Sequence, residues 1–262
     1  MKYYVVSDPH GYYTLMEKAL REAGFFDETE PHKLIVCGDL LDRGDEANKM
    51  IDFMLRLKEE EKLIYILGNH EDLLVQCIHR IASGGIHEIA SGMSPHYTNG
   101  TWNTLLQISG MDEIGAYNQP YALVKDVLYS TFYRELLPFA VDYYETERYV
   151  FTHGWIPSLI KGHRPYMSFE YNESWRAEET RAWQRARWFN GMELACKHGV
   201  TEEGKTIVCG HWHASYGHAQ IENNGSEFGE DADHSPFYAD GIIAIDACTA
   251  RSGRVNCIVI ED

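Results

Sequence analysis

Short runs of apolar residues recur along the chain, and each ends in a polar loop that contains glycine. The runs are YYVVSDPHG, KLIVCGDLLDRG, LIYILGNHED, RYVFTHGW and TIVCGHWH. Each run predicts a buried strand whose carboxyl end leads into the loop. Between the first three strands, apolar residues repeat at helical spacing over Tyr13 to Ala23 and Glu46 to Glu60. The resulting βαβαβ order predicts an α/β fold with parallel strands and helices packed on the faces of the sheet.

The middle of the chain departs from this alternation. From Ser83 to Leu137, clusters of Gly, Ser and Asn replace strand-like runs, and we predict a mainly helical insertion over the sheet edge that carries the polar loops. Strands are then expected at Ala140 to Tyr144 and Tyr149 to Thr152, and GIIAIDA and RVNCIVI predict a closing antiparallel pair. No linker rich in Pro, Gly or Ser divides the chain. We therefore expect a single domain, residues 1–262, with two sheets packed face to face.

The formal net charge of -17 restricts the partners that the protein is expected to bind. A surface this acidic repels polyphosphate backbones, so we expect no nucleic-acid partner. No apolar run approaches the roughly 18 residues of a spanning helix, so we expect no membrane partner. The six cysteines form no CxxC pair, and several lie in apolar runs. This usage is typical of buried, reduced thiols and predicts a cytoplasmic protein.

The loops after the five predicted strands carry side chains that bind metal ions. These side chains are Asp8, His10, Asp39, Asn69, His70, His153, His211 and His213. A single Asp or His after a strand is more often a helix cap or a structural residue, but five such loops at one sheet edge indicate a common site. Oxygen and nitrogen ligands without a thiolate suit Mn, Fe or Zn. The sequence therefore predicts a metal site at the carboxyl ends of the strands.

The same loops resemble the motifs of the calcineurin-like metallophosphoesterases, in the order in which that family carries them. The motifs SDPHG, GDLLDRG, GNHED, THGW and GHWH indicate the phosphoprotein phosphatase branch. The run from Leu136 to Trp155 and the NGTWNTL segment, Asn99 to Leu105, further resemble bacterial serine/threonine phosphatases and diadenosine tetraphosphatases. Ser7, Pro9 and the THGW motif depart from the residues that family members often carry. The resemblance implies a metallophosphoesterase-type β-sandwich of two mixed sheets flanked by helices.

The resemblance also implies a site for two divalent metal ions, with Mn as the expected metal and Fe, Zn, Mg or Ni as alternatives. The ligands of the first ion would be Asp8, His10 and Asp39, and those of the second Asp39, Asn69, His153 and His211. Asp39 would therefore bridge the two ions. Some members of the superfamily use a second histidine on the first ion, which makes His213 a further candidate ligand. A hydroxide shared by the two ions would attack phosphorus in line, without a covalent enzyme intermediate.

Further residues beside the metals complete the implied site. His70 would protonate the leaving oxygen, and Asp42 would orient His70 through the other ring nitrogen. Arg43 would bind the phosphoryl oxygens, because a planar guanidinium matches phosphate. The family implies a second phosphate-binding arginine, for which the WRAEETRAWQRARWFNGM segment favours Arg185 or Arg187. The same segment is also typical of an amphipathic helix with buried tryptophan and solvated arginine.

The expected reaction is hydrolysis of phosphate monoesters in a phosphoprotein, at phosphoserine or phosphothreonine, or in a small phosphate ester. The alternatives are a dinucleoside polyphosphate hydrolase acting on diadenosine tetraphosphate and, from another class, a metal-binding scaffold without turnover. We expect the insertion and the segment from Trp183 to Trp188 to form the wall that faces the substrate. The other histidines have no informative spacing and are assigned to surface or packing roles: His32, His79, His87, His96, His163, His198, His218 and His234.

Overall fold

Two β-sheets form the centre of the protein in a computed structural model that describes residues 1–162 and 167–262. The strands in these ranges are β1 (Lys2–Val6), β2 (His32–Cys37), β3 (Leu63–Ile66), β4 (Tyr144–Glu145), β5 (Tyr149–Phe151), β6 (Leu159–Lys161), β7 (Ser168–Glu170), β8 (Thr206–Cys209), β9 (Phe237–Ala239), β10 (Ile242–Ala244) and β11 (Cys257–Glu261). The first sheet has the order β11-β1-β2-β3, and β1, β2 and β3 are parallel. The second has the order β4-β5-β8-β10-β9, with parallel β5, β8 and β10 between antiparallel edge strands. β6 and β7 form a separate hairpin.

Helices connect the strands. The α-helices are α1 (Tyr13–Glu22), α2 (Ala47–Glu59), α3 (Asn69–Ala82), α4 (Ile86–Ile89), α5 (Pro95–Thr98), α6 (Thr101–Ser109), α7 (Glu113–Asn118), α8 (Pro120–Leu128), α9 (Thr180–Ala186), α10 (Gly191–His198), α11 (Ala214–Gln220) and α12 (Thr249–Ser252). A π-helical turn, Phe132–Leu136, and 3-10 turns at Leu137–Phe139 and Trp175–Ala177 supplement them. The predicted βαβαβ order is confirmed, and α1 and α2 end within one residue of the predicted limits.

Alternate side chains of the first sheet pack into two different cores. Val5 faces the second sheet, where it joins a core that contains Phe151 and Val208. The next residue, Val6, faces α1 and α2 in a core that contains Met16. A third core covers the outer face of the second sheet under α9 and α10. These layers confirm the predicted α/β sandwich of two mixed sheets flanked by helices.

The segment from Ser83 to Leu137 is mainly helical, as predicted, and contains α4 to α8. Its buried residues, including Trp102, Leu123 and Phe132, join the core shared with α2 and α3. Most of the insertion therefore thickens the helical layer on the outer face of the first sheet. The amino end of α6 extends from this layer to the polar loops at the strand ends.

The predicted pairing of the closing strands is wrong. β10 lies in the second sheet between β8 and β9, whereas β11 pairs with β1 in the first sheet. Alternating apolar residues identify each strand but do not identify a partner that is distant in sequence. The strand expected from Ala140 to Tyr144 is reduced to a bridge between Val141 and Ile66, followed by the two-residue β4.

The cysteines agree only in part with the expectation of buried thiols. Cys37, Cys77 and Cys209 are buried free thiols, whereas the free thiol of Cys196 is exposed.

Among the helices that the structure describes, none is both long enough and apolar enough to cross a membrane. His163, assigned above to a surface or packing role, lies outside the described residues.

The loop after β2 requires a glycine, which gives a test of the packing at the strand ends. Gly38 has a φ of +81°, and a methyl group there would lie 2.5 Å from His153 Nδ1. We expect Gly38→Ala to lower the free energy of unfolding by about 3 kcal/mol, because left-handed strain and steric overlap add. The matched control is Gly24→Ala: Gly24 has a φ of +87° and nothing within 4 Å, so about 1 kcal/mol is expected. Chemical denaturation measures both values, and equal losses would contradict the close approach at Gly38.

Candidate active site

The candidate metal-binding side chains gather at the carboxyl ends of strands from both sheets. They follow β1, β2 and β3 of the first sheet and β5 and β8 of the second: Asp8, His10, Asp39, Asn69, His70, His153 and His211. Within the described ranges, left-handed backbone at non-glycine positions is concentrated here, at Asp8, His10, Asp39, Asp42, Arg43 and His211. Such residues rarely adopt a positive φ, so surrounding contacts must hold these loops in a strained conformation.

Asp39 lies between two groups of histidine side chains. In the first group, ligand atoms of Asp39, His10 and His70 all lie within 4.8 Å of one another. In the second group, the same holds for ligand atoms of Asp39, His153 and His211. Asp39 Oδ2 is 3.7 Å from Nε2 of His10 and of His70, and Oδ1 is 3.3 Å from His153 Nε2. Burial by itself raises the pKa of Asp39, but the four imidazoles lower it below its usual value. One carboxylate therefore faces both groups, as a ligand shared by two ions must.

Hydrogen bonds to the backbone orient two of these histidines. Nδ1 of His10 donates to the Leu41 carbonyl at 3.1 Å, and Nδ1 of His153 donates to the Cys37 carbonyl at 2.8 Å. In this tautomer each Nε2 carries a lone pair, as a metal-binding imidazole requires. His153 Nε2 also lies 2.8 Å from Asn69 Oδ1, which is an acceptor too. Two acceptors that converge in this way fit a cation that both atoms bind.

Buried carboxylates concentrate negative charge at the same edge. Burial, followed by repulsion from Asp246 and Asp39, raises the pKa of Asp8 well above its usual range. Burial raises the pKa of Asp246 to about 7. The Ser7 hydroxyl and the His211 N–H both donate to Asp8 Oδ2. Divalent cations would offset the remaining repulsion, so the residues fit two metal ions in charge as well as in ligand type.

His70 and Asp42 form a buried pair beside the shared carboxylate. His70 Nδ1 donates to Asp42 Oδ2 at 2.7 Å. Burial by itself lowers the pKa of His70, but Asp39 and Asp42 raise it above its usual value. The Arg43 guanidinium donates to Nε2 of His10 at 2.8 Å and to Nε2 of His70 at 3.3 Å. A group that can donate a proton therefore lies beside a group that can bind an anion.

His213 and Arg187 lie away from this cluster. His213 Nε2 is 2.9 Å from Glu227 Oε1, which lies in the acidic loop from Glu222 to Asp233 that follows α11. Arg187 is buried, and its Nη1 donates to both oxygens of Asp72 at 2.7 and 2.6 Å. Its Nη2 donates to Asp142. The structure therefore directs these two predicted site residues to carboxylate partners outside the two histidine groups.

Trp183 and Trp188, which were expected to share one wall, differ in environment. Trp183 is buried in the core beside the second sheet. Trp188 is 50% exposed, and its ring is edge-on to His211 with centroids 5.7 Å apart. Together with Trp212 and the exposed Arg185, it lines a groove of about 410 Å³. Trp188 thus connects this groove to the candidate metal centre.

Three buried residues that had no assigned role support the site from behind. Glu71 accepts hydrogen bonds from three backbone N–H groups of the loops after β2 and β3, at 2.6 to 3.1 Å. Thr101 and Thr104 each donate to Asp42 at 2.7 Å. The signal in the sequence was their position inside the GNHED and NGTWNTL segments, but their partners depend on the tertiary fold.

The chain matches a known protein family over most of its length. The family model of the calcineurin-like phosphoesterases matches residues 1–241. An asymmetrical bis(5'-nucleosyl)-tetraphosphatase of Anoxybacillus flavithermus is 31% identical over 80 residues, 28% of this chain and 33% of that protein. A symmetrical bis(5'-nucleosyl)-tetraphosphatase of Buchnera aphidicola is 35% identical over 71 residues, 27% of this chain and 24% of that protein. The chain spans one third or less of the length of these curated relatives.

A solved structure shares the fold along the whole chain. The cold-active protein-tyrosine phosphatase of a psychrophilic Shewanella species is 14% identical and has a TM-score of 0.50, over 100% of this chain and 75% of that one. At this identity the likeness shows the fold alone. The family match, in contrast, extends over most of the sequence and includes every loop that contributes to the two histidine groups around Asp39. The chain belongs to the calcineurin-like phosphoesterase family, a binuclear metal-dependent family of hydrolases that act on phosphoesters.

Proposed function

We propose that this protein hydrolyses phosphate monoesters at a two-metal centre, with phosphoserine and phosphothreonine residues or small phosphate esters as substrates. The observation that carries the proposal is the position of Asp39, whose two carboxylate oxygens face two separate histidine groups. The His70–Asp42 pair and the Arg43 guanidinium lie beside one of these groups. Metal ligands, a proton donor and an anion-binding group are therefore neighbours.

The loops of both sheets supply the residues that would hold two ions. The proposed ligands are Asp8, His10 and Asp39 for one ion and Asp39, Asn69, His153 and His211 for the other. Bound divalent ions lower the pKa of water and polarise phosphoryl oxygens. The ligand set contains oxygen and nitrogen but no thiolate, which suits Mn. His213 is not included, because its Nε2 faces Glu227.

His70 is proposed to donate a proton to the leaving oxygen. Because Asp42 accepts from Nδ1, the imidazolium would carry its transferable proton on Nε2, the nitrogen that accepts from Arg43 when the ring is neutral and that lies 3.7 Å from Asp39 Oδ2. The raised pKa of His70 increases the protonated fraction near neutral pH, as a general acid requires. Arg43 is proposed to bind the phosphoryl oxygens close to this proton.

Arg185 is the better candidate for the second phosphate-binding arginine. Arg187 is held by Asp72 and Asp142, and releasing it would leave two carboxylates without their cation, which is unfavourable. Arg185 is exposed and lies on the groove that Trp188 connects to His211. Its guanidinium is therefore available to bind a phosphate group of a substrate that lies at the metals.

A dinucleoside polyphosphate hydrolase is the second candidate, and the groove beside His211 favours it. Trp188 and Trp212 line the groove, and a nucleobase can stack on such aromatic rings. Both curated relatives described above are named bis(5'-nucleosyl)-tetraphosphatases. The deciding experiment compares kcat/KM for a phosphopeptide panel, p-nitrophenyl phosphate and diadenosine tetraphosphate with one preparation of Mn-loaded protein. A clear preference for diadenosine tetraphosphate would replace the first proposal with the second.

Removal of metal is expected to abolish turnover, because the ligands are oxygen and nitrogen atoms that release divalent ions to a chelator. Activity on p-nitrophenyl phosphate is measured before chelation, after chelation and after addition of Mn, with metal content followed by elemental analysis. Full activity in verified metal-free protein would contradict the two-metal proposal. Metal binding without turnover on any of the three substrate classes would instead support the scaffold alternative.

Substitutions at Asp39 and His70 are expected to separate metal binding from proton donation. Asp39→Asn should lose both activity and bound metal, because one charged ligand serves both ions. His70→Asn should retain metal and lower kcat by roughly 10² to 10⁴, the usual contribution of a general acid. Metal content and kcat are measured on the same samples. A large loss of metal from His70→Asn would make His70 a ligand rather than the proton donor.

Substitution in the aromatic groove is expected to separate the two candidate substrates. If a nucleobase stacks on Trp188, Trp188→Leu should lower kcat/KM for diadenosine tetraphosphate roughly tenfold and leave that for p-nitrophenyl phosphate nearly unchanged. Tyr121→Leu is the control, because Tyr121 is an exposed aromatic residue of the insertion that does not line the groove. Equal values for the Trp188 and Tyr121 variants on diadenosine tetraphosphate would remove the support that the groove gives to the second candidate.

A further inference from the structure

We infer that Thr101 and Thr104, on helix α6 of the insertion, are positioning residues that hold Asp42 and, through it, His70. The inference rests on the proposed function, because it concerns the proton donor of that reaction. It gives the NGTWNTL segment a part in the chemistry, although this segment lies outside the metal-binding loops.

The two threonine hydroxyls and His70 together occupy the carboxylate of Asp42. Thr101 Oγ1 donates to Oδ2 at 2.7 Å, and this oxygen also accepts from His70 Nδ1 at 2.7 Å. Thr104 Oγ1 donates to Oδ1 at 2.7 Å and accepts from the Asp42 N–H at 3.0 Å. Both threonines are completely buried, and Asp42 is 1% exposed. Because water has little access to Asp42, the two hydroxyls of α6 and the His70 ring determine the plane of its carboxylate.

The rest of α6 attaches to the same loop. Asn103 donates to the Asp45 carboxylate at 2.9 Å, and Gln107 donates to the Gly44 carbonyl at 3.0 Å. At the start of the helix, Gly100 has a φ of +86°, and a methyl group there would lie 2.2 Å from the Arg43 nitrogen. The two threonines are three residues apart and therefore share one face of the helix. That face is packed on the loop that carries Asp42 and Arg43.

The hydroxyls restrict a motion that would misalign His70. A carboxylate held by one imidazole can rotate about its Cβ–Cγ bond, whereas three donors, two of them on the oxygen that holds His70, oppose that rotation. Removal of the Thr101 hydroxyl leaves a lone pair of a buried carboxylate without a donor, which is unfavourable. Asp42 is then expected to turn toward another donor, and the His70 ring is expected to turn with it. Small displacements of a proton donor from the leaving oxygen lower the rate strongly.

A purely structural role of these hydroxyls predicts a different result. In that case substitution would lower stability and would affect all substrates alike. A positioning role affects the step in which His70 acts, so the loss should be largest for substrates whose leaving group needs a proton. Two aryl phosphates provide this contrast, because phenolate is a basic leaving group and 2,4-dinitrophenolate departs without protonation.

The test compares kcat for phenyl phosphate and 2,4-dinitrophenyl phosphate with Mn-loaded full-length variants. We expect Thr101→Val to lower kcat for phenyl phosphate roughly tenfold, part of the roughly 10² to 10⁴ that a general acid contributes, with little change in KM. The value for 2,4-dinitrophenyl phosphate should remain close to that of the unchanged protein. Thr101→Ser should restore kcat, because it keeps the hydroxyl. Thr98→Val is the matched control, since the Thr98 hydroxyl donates to backbone carbonyls of Ser94 and Pro95.

A double substitution distinguishes failure of this inference from failure of the proposed function. In protein that carries His70→Asn, Thr101→Val should cause no further loss, because the proton donor is already absent. Equal losses on both substrates, no loss on either, or the same loss without His70 would overturn the inference. A wild-type kcat of His70→Asn on phenyl phosphate would instead remove the proton donor from the proposed function. If thermal unfolding shows that Thr101→Val is not folded at the assay temperature, Thr101→Ala provides the same comparison.

Discussion

The burial of one charged side chain, Asp39, is the constraint on which the rest of the site depends. A carboxylate removed from water is strongly unfavourable unless positive or donor groups surround it. Asp39 meets part of this requirement with the backbone N–H of His70, which donates to Oδ1 at 2.9 Å, and cations held between Asp39 and the flanking imidazoles would supply the rest. Its own N–H donates to Glu71. The left-handed backbone and the glycine that precedes it are consequences of bringing so many groups to one carboxylate.

Local patterns in the sequence predicted much of the fold and most of the candidate site. Apolar runs that end in glycine-containing loops located β1, β2, β3, β5 and β8, because a parallel strand is buried on both faces and its carboxyl end carries the loop. The same logic brought Asp8, Asp39 and His153 to one edge. It did not show that β10 and β11 belong to different sheets, because tertiary packing determines which strands pair. Nor did it reveal Thr101, whose importance comes from a contact with a residue 59 positions earlier in the chain.

Charge explains why Arg187 and Arg43 have different kinds of hydrogen-bond partner. The protein carries a net charge of -17, and Asp8, Asp39 and Asp246 are buried at one edge. In such surroundings an arginine tends to pair with a protein carboxylate, as Arg187 does with Asp72 and Asp142. Arg43 instead donates to neutral acceptors on two imidazoles, contacts that are more easily exchanged for a phosphate. A dianionic substrate of the proposed reaction would therefore depend mainly on the charge of bound metals for its attraction to this acidic site.

The two histidine groups follow strands of different sheets, so a complete site forms only when the two sheets have docked correctly. His10, Asp39 and His70 follow strands of the first sheet, whereas His153 and His211 follow strands of the second. A chain in which each sheet has formed but the sheets have docked out of alignment would retain its helices and strands and yet contain only two incomplete half-sites. At the proposed two-metal site, bound metal would therefore favour the correct alignment of the sheets. The proposed activity, unlike a spectroscopic measure of secondary structure, would report whether that alignment has been reached.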